Sequence, residues 1–179
     1  GGSVNNGGRT DDRKFEYKDF AVLYRTNAQS RNFEEAFSAA DIPYRVLGGV
    51  RYYDRKEIKD IVAYMRLVQN PADDLALVRI INEPKRGIGD KTVEKLQTLA
   101  SVRGESLFEV LSDEEIRSGL PGKAVLSIGE MVEAIQEYHN ERENLRVSDI
   151  YDALLVRTGY MKALEQQNTI EAEGRMENL

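Results

Sequence analysis

Pro84-Lys85-Arg86-Gly87-Ile88-Gly89-Asp90-Lys91-Thr92 packs a helix stop, a two-glycine turn, three cations and a helix start into nine residues. The apolar run ending at Ile81 cannot continue as helix into Pro84, because the proline ring pushes the residue before it out of the α region. Gly87 and Gly89 permit positive φ and leave their amides uncovered by side chains. Asp90 is placed to cap a helix whose inner face is Val93, Leu96 and Leu99 or Ala100. That helix turns its unpaired N–H groups and the positive end of its dipole back toward the glycines, an arrangement that attracts an anion. The stretch predicts a phosphate-binding turn between two helices. It is also compatible with an ordinary interhelical turn whose glycines are only caps, since Gly-x-Gly alone recurs often by accident.

Helical periodicity extends outward from the turn on both sides. Lys56 to Gln69 places Ile58, Ile61, Val62, Met65 and Val68 on one face before Asn70-Pro71 stops it. Asp73 or Asp74 opens a short helix with Leu75, Val78 and Leu77 or Ile81. After the turn come a helix to about Ser101, a short one over 107–111, and a long one from Gly122 to Arg142 carrying Val125, Ile128, Val132 and Ile135. Ser148-Asp149 starts another with Ile150 and Leu154, residues 160–166 continue beyond Gly159, and Thr169 caps a last helix. Before residue 50 the pattern is different. Phe20-Ala21-Val22-Leu23-Tyr24 reads as a buried strand, Ser30 caps a helix carrying Phe33, Ala36, Phe37 and Ala40, and residues 44–47 form a second strand ended by Gly48-Gly49. Strand, helix and strand at this spacing predict a βαβ unit with a right-handed crossover. The expected fold class is mainly α: a multi-helix domain over 56–179 with a helix-hairpin-helix-like turn, preceded by a small βαβ remnant over 15–55. Residues 1–14 are Gly- and Asn-rich, start like a cloning remnant, and are expected to be a disordered tag or linker. The incomplete sheet, and a last helix still periodic at Leu179, lead us to expect a piece of a larger protein.

The 179 residues are 41% hydrophobic and 31% charged, which suits a chain with a packed core. Cysteine is absent, so disulfides and thiolate metal sites are excluded, and the cytoplasm is the default compartment. No apolar run approaches a membrane span, so no membrane partner is expected. The net charge of -6 is unevenly spread: residues 1–103 carry 18 Lys and Arg against 15 Asp and Glu, whereas residues 104–179 carry 7 against 16. A local cationic patch can therefore hold phosphate although the whole chain is acidic.

The turn can bind phosphate through Gly87, Ile88 and Gly89 with Thr92, while Lys85, Arg86 and Lys91 add charge. It carries no means of reading bases. Binding would be sequence-independent, with one to three phosphates held and a slope of about -0.9 per phosphate in log affinity against log salt. Gly119-Leu120-Pro121-Gly122-Lys123-Ala124 is not a nucleotide loop, since Arg117 stands where glycine is needed and Ala124 where Ser or Thr is needed. Its Lys123 is a second, poorer candidate for a phosphate contact, against a plain Pro-Gly helix start. His139, the one histidine, sits among Glu137, Glu141 and Glu143 and reads as solvated. Tyr52-Tyr53 can stack on a base but more commonly would pack at a domain junction. No catalytic, metal or cofactor residues are assigned.

Several stretches in order resemble the PcrA/UvrD/Rep superfamily 1 DNA helicases, most of all their PcrA branch. They are Phe-Ala-Val-Leu-Tyr-Arg-Thr-Asn-Ala-Gln-Ser-Arg from Phe20 to Arg31, Gly48-Gly49, Tyr53-Asp54-Arg55-Lys56-Glu57-Ile58-Lys59-Asp60, the turn from Pro84 to Thr92, and Arg175-Met176-Glu177-Asn178-Leu179. The resemblance implies that the first segment is part of the RecA-like motor domain 2A and the helical remainder is the accessory domain 2B. It further implies an ATP-dependent parent helicase of 3′ to 5′ polarity acting in repair and plasmid replication, with ATP and Mg²⁺ bound by parts absent from this chain. The fragment alone is expected to be inactive, having no Walker A loop. Lys85, Arg86, Gly87, Ile88, Gly89, Lys91 and Thr92 match the family's duplex contact, and Lys123 is a looser match to a second one. The implied partners are duplex DNA, the remaining helicase domains, and repair or transcription proteins. The rival function is a protein-docking module of the same helicase without appreciable DNA binding of its own.

Overall fold

The computed structural model describes residues 15–25, 29–47 and 51–179. They contain ten α-helices and no strand. The chain divides into two compact units, residues 1–49 and Val50–Leu179.

In the first unit the expected βαβ reduces, among the described residues, to its helix, α1 (Ser30–Ala39). Residues 20–24 and 42–46 have no ladder partner, and Leu23 is 93% exposed. The physical reason is that a two-stranded pair with one covering helix buries too little to hold a ladder. Aromatic contacts stand in its place: Phe33 stacks on Tyr24 with ring centroids 6.2 Å apart, and Phe37 meets Tyr44 at 5.7 Å. The expected order or disorder of residues 1–14 and the turn at Gly48-Gly49 lie outside the described residues.

The second unit is helical from a 3₁₀ turn at Tyr52–Asp54 onward. Its helices are α2 (Lys56–Gln69), α3 (Asp74–Ile80), α4 (Asp90–Arg103), α5 (Leu107–Ser112), α6 (Glu114–Ser118), α7 (Gly122–Glu141), α8 (Val147–Arg157), α9 (Tyr160–Glu165) and α10 (Ile170–Asn178). Local chemistry sets the ends. The Asp73 carboxylate accepts from the Ala76 amide at 3.0 Å to open α3, and Thr169 Oγ1 accepts from the Ala172 amide at 3.1 Å to open α10. Ser106 and Glu109 close a reciprocal capping box at α5, whose Leu107 amide also donates to the Asp74 carboxylate at 2.8 Å. Hydrogen bonds from the Ser106 backbone and hydroxyl hold the Glu109 carboxyl below its ordinary value.

Helix α7 is the central post, packed against α2, α5, α6 and α8. Ile128, Met131 and Ile135 on it are fully buried, together with Tyr64 and Leu67 of α2, Leu77 and Ile80 of α3, and Leu154 of α8. Burial of this kind stabilises by about 1.5–3 kcal/mol per large side chain.

Three polar ties cross the unit. Asp60, 1% exposed, accepts from Lys56 at 2.8 Å, from Arg79 at 2.9 Å and from the Tyr160 hydroxyl at 2.9 Å, joining α2, α3 and α9. His139 Nδ1 lies 2.8 Å from the Val68 carbonyl, so it carries the proton there and ties α7 to α2. The ring expected in solvent is thus half-buried and bonded. At the chain end, the Tyr52 hydroxyl donates to the Asn178 carbonyl at 2.7 Å, the Asn178 amide donates to Glu57 at 2.6 Å, and Arg55 donates to the Asn178 side-chain oxygen. No helix of the described residues is long and apolar enough to cross a membrane.

Candidate nucleic-acid interface

Helix α3 stops at Ile80 and α4 starts at Asp90, so the quoted stretch is the connection between them. Gly87 takes φ of +77°, which L side chains rarely adopt. Gly89 does not need its freedom in this way. It is the N-cap of α4 with φ of -94°, and Asp90, expected as the cap, is the first helical residue instead. The Gly89 carbonyl accepts from the amides of Thr92 at 2.9 Å and Val93 at 3.1 Å. Among the described residues, the backbone amides of 87–91 have no protein acceptor. Five successive donors thus lie at the positive end of a 14-residue helix.

The turn is anchored by Ile88, 2% exposed, whose side chain joins the core; of this residue only the backbone is available to a ligand. Lys85, Lys91, Gly87 and Gly89 are exposed, and Thr92 is half-buried. Lys123, from the first turn of α7, comes to the same place: a Cβ built on Gly87 would lie 3.9 Å from Lys123 Cβ. The starts of α4 and α7 therefore meet at Gly87. Among the described residues Lys85, Lys91 and Lys123 have no ion-pair partner, in contrast to Lys56, Lys59, Arg66 and Arg79, which all hold carboxylates. Asp90 is also exposed beside the turn and opposes an anion there.

Arg86 is elsewhere than expected. It is 3% exposed, and its side chain points inward. Nη1 donates to the carbonyls of Ile80 at 2.8 Å, Glu83 at 3.1 Å, Ile81 at 3.3 Å and Pro84 at 3.3 Å. Nη2 donates to the Tyr64 hydroxyl at 2.7 Å and the Thr158 carbonyl at 3.2 Å. The Tyr64 hydroxyl in turn donates to the Glu83 carbonyl at 2.6 Å, and the Arg86 backbone amide donates to the Asn82 side-chain oxygen at 2.8 Å. Burial raises the Tyr64 phenol above its ordinary value, with Arg86 pulling against that shift. Sequence reasoning missed Tyr64, Asn82 and Thr158 as supports of the turn. Pro84 after Asn82 was the available signal for a side chain bonding ahead along the chain.

The stretch from Gly119 to Ala124 does not suit a nucleotide. Ala124 is fully buried against the core, and Arg117 Nη1 donates to the Leu111 carbonyl at 2.7 Å. Tyr52 packs inside the unit and Tyr53 lies edge-on to it, ring centroids 5.1 Å apart, with Tyr53 exposed.

Residues 5–121 match the family described as UvrD-like helicase C-terminal domain. The chain is 44% identical over 164 residues to the ATP-dependent DNA helicase PcrA of Staphylococcus aureus strain Mu50, a match covering 92% of this chain and 22% of that protein. It is 45% identical over 164 residues to the ATP-dependent DNA helicase PcrA of Staphylococcus epidermidis strain ATCC 35984, with the same coverage of 92% and 22%. The chain thus spans about a fifth of the length of the curated relatives it matches.

Proposed function

Because the chain belongs to the UvrD-like helicase C-terminal domain family, we propose that it is the accessory 2B portion of an ATP-dependent DNA helicase, preceded by a piece of domain 2A. In this role it holds duplex DNA by its phosphates, independently of sequence, and regulates unwinding by the remaining helicase domains. The observation that carries the proposal is the set of five amides at 87–91 that have no protein acceptor among the described residues, bordered by Lys85, Lys91 and Lys123, which have no ion-pair partner among them. Backbone donors and lysines fit phosphate oxygens and present nothing that distinguishes bases. We place ATP and Mg²⁺ on other parts of the parent protein, and no step of hydrolysis is assigned to this chain. The setting is the cytoplasm, where repair or transcription proteins are further partners.

A paired glycine substitution tests the turn. Gly87→Ala is expected to destabilise the unit by about 1–2 kcal/mol, the cost of an L side chain in the left-handed region, and to weaken duplex binding. Gly89→Ala has no heavy atom within 4 Å of the new Cβ and a φ open to any residue. It should cost less than about 1 kcal/mol, so weaker binding by that variant reports a methyl group in the path of the phosphate. Fluorescence anisotropy of a labelled duplex, with thermal melts alongside, separates the two effects. Wild-type affinity in the Gly89→Ala chain would mean that the amides are not used.

A further inference from the structure

We infer that Arg86 is a positioning residue for the phosphate-facing turn, fixing it to two helix ends from behind without touching the nucleic acid. The inference rests on the turn being the duplex contact.

A guanidinium removed from water normally requires a carboxylate, and unpaired burial costs several kcal/mol. Arg86 has no carboxylate partner among the described ion pairs; its acceptors are five backbone carbonyls and one phenol. Those carbonyls are not arbitrary. Ile80 and Ile81 end α3, and Thr158 is the C-cap of α8. Each is the negative end of a helix, where a cation is stabilised. Glu83 and Pro84 are the rising limb of the turn itself. One planar fork thus bolts the turn to α3, to α8 and, through Tyr64, to α2. Because Arg86 directly precedes Gly87, its anchoring determines the direction in which the following amides leave the surface.

Direct contact and positioning predict opposite behaviour on conservative exchange. A phosphate contact tolerates lysine, which supplies the same point charge. The fork does not, because an ammonium has three donors and no plane with which to span two helix ends. Arg86→Lys in the 179-residue chain is expected to bind a short blunt duplex about tenfold more weakly with the salt slope unchanged. Tyr64→Phe, which removes one fully buried hydroxyl, should weaken it about three- to fivefold, again with the slope intact. Lys91→Ala, by comparison, should lower the slope by about 0.9. In ¹⁵N relaxation, order parameters at Gly87 and Gly89 should fall below about 0.6 in the Tyr64→Phe chain, while those around Ile135 stay near 0.85. If Arg86→Lys fails to fold, Tyr64→Phe carries the test.

Wild-type affinity and unchanged order parameters in Tyr64→Phe would overturn the inference. So would a slope lowered by Arg86→Lys as far as by Lys91→Ala, because that marks a direct contact. If Lys91→Ala changes nothing while the turn still loosens in Tyr64→Phe, the duplex reading fails and the mechanical role of Arg86 survives.

Discussion

A chain in which Lys85, Lys91 and Lys123 are all alanine is expected to bind duplex DNA about 10²–10³-fold more weakly at 0.1 M salt. Each lysine that neutralises a phosphate releases condensed counterions. This adds about 0.9 to the slope of log affinity against log salt, and about 0.9 log units of affinity at 0.1 M. Three such contacts compound to the stated loss and should make the slope shallower by about 2.7. Folding should be unaffected beyond about 0.5 kcal/mol, because all three side chains are exposed and none holds an ion pair among the described residues. Lys162, exposed on α9, supplies the comparison: Lys162→Ala removes the same charge at another place and should leave the slope as it is. A triple variant that keeps the original slope would refute duplex binding at this turn. The order of the single effects is informative as well. Lys123 is brought to Gly87 only by the fold, so a slope change from Lys123→Ala tests the assembled site rather than the linear motif.

The largest effect on stability is expected from Asp60→Ala, a loss of about 2–3 kcal/mol and a fall in Tm of about 5–10 °C, measured by thermal and urea unfolding. Removing a buried ionic partner can cost more, about 3–5 kcal/mol. Here Lys56 and Arg79 remain 45% and 38% exposed at their side chains and can turn to water. The remaining cost lies in Tyr160, buried at 5% exposure, whose hydroxyl loses its acceptor. Its phenol is held well above the ordinary value, chiefly by burial and then by the Asp60 charge. Adding Tyr160→Phe to Asp60→Ala should therefore restore at least about 1 kcal/mol, because replacing both members of a buried hydrogen bond is cheaper than orphaning one. A single-variant loss below about 0.5 kcal/mol would mean that the tie contributes little.

Most of the helical unit was legible from residue spacing. The run from Lys56 to Gln69 is the observed α2, and Thr169 caps α10 as read. Periodicity identifies a helix more securely than the direction it faces. In α2, Val62 is 49% exposed whereas Tyr64 and Leu67 are fully buried, because the positions of α3, α7 and α8, not the apolar stripe alone, select the inner face. The two short apolar runs before residue 50 illustrate a different limit. A strand is a relation between segments, and local composition at 20–24 and 44–47 cannot supply the pairing. At the site, the glycine turn and the exposed Lys85 and Lys91 were legible because they belong to one short stretch, whereas the approach of Lys123 to Gly87 was not. The inward turn of Arg86 was not, since its acceptors come from α2, α3 and the end of α8. A cation counted as surface charge in the sequence is structural in the fold.

The bonds of Asn178 to Tyr52, Arg55 and Glu57 bring the first and last turns of the helical unit to one point. Residues 52 and 178, far apart in sequence, thereby share one seam, and closing the chain between them has a loop-entropy cost that these bonds and the packed core offset. Tension applied across residues 52 and 178 would load these side-chain bonds together with the Tyr151 hydroxyl on the Leu179 carbonyl and the packing of α10 on α9 and α2.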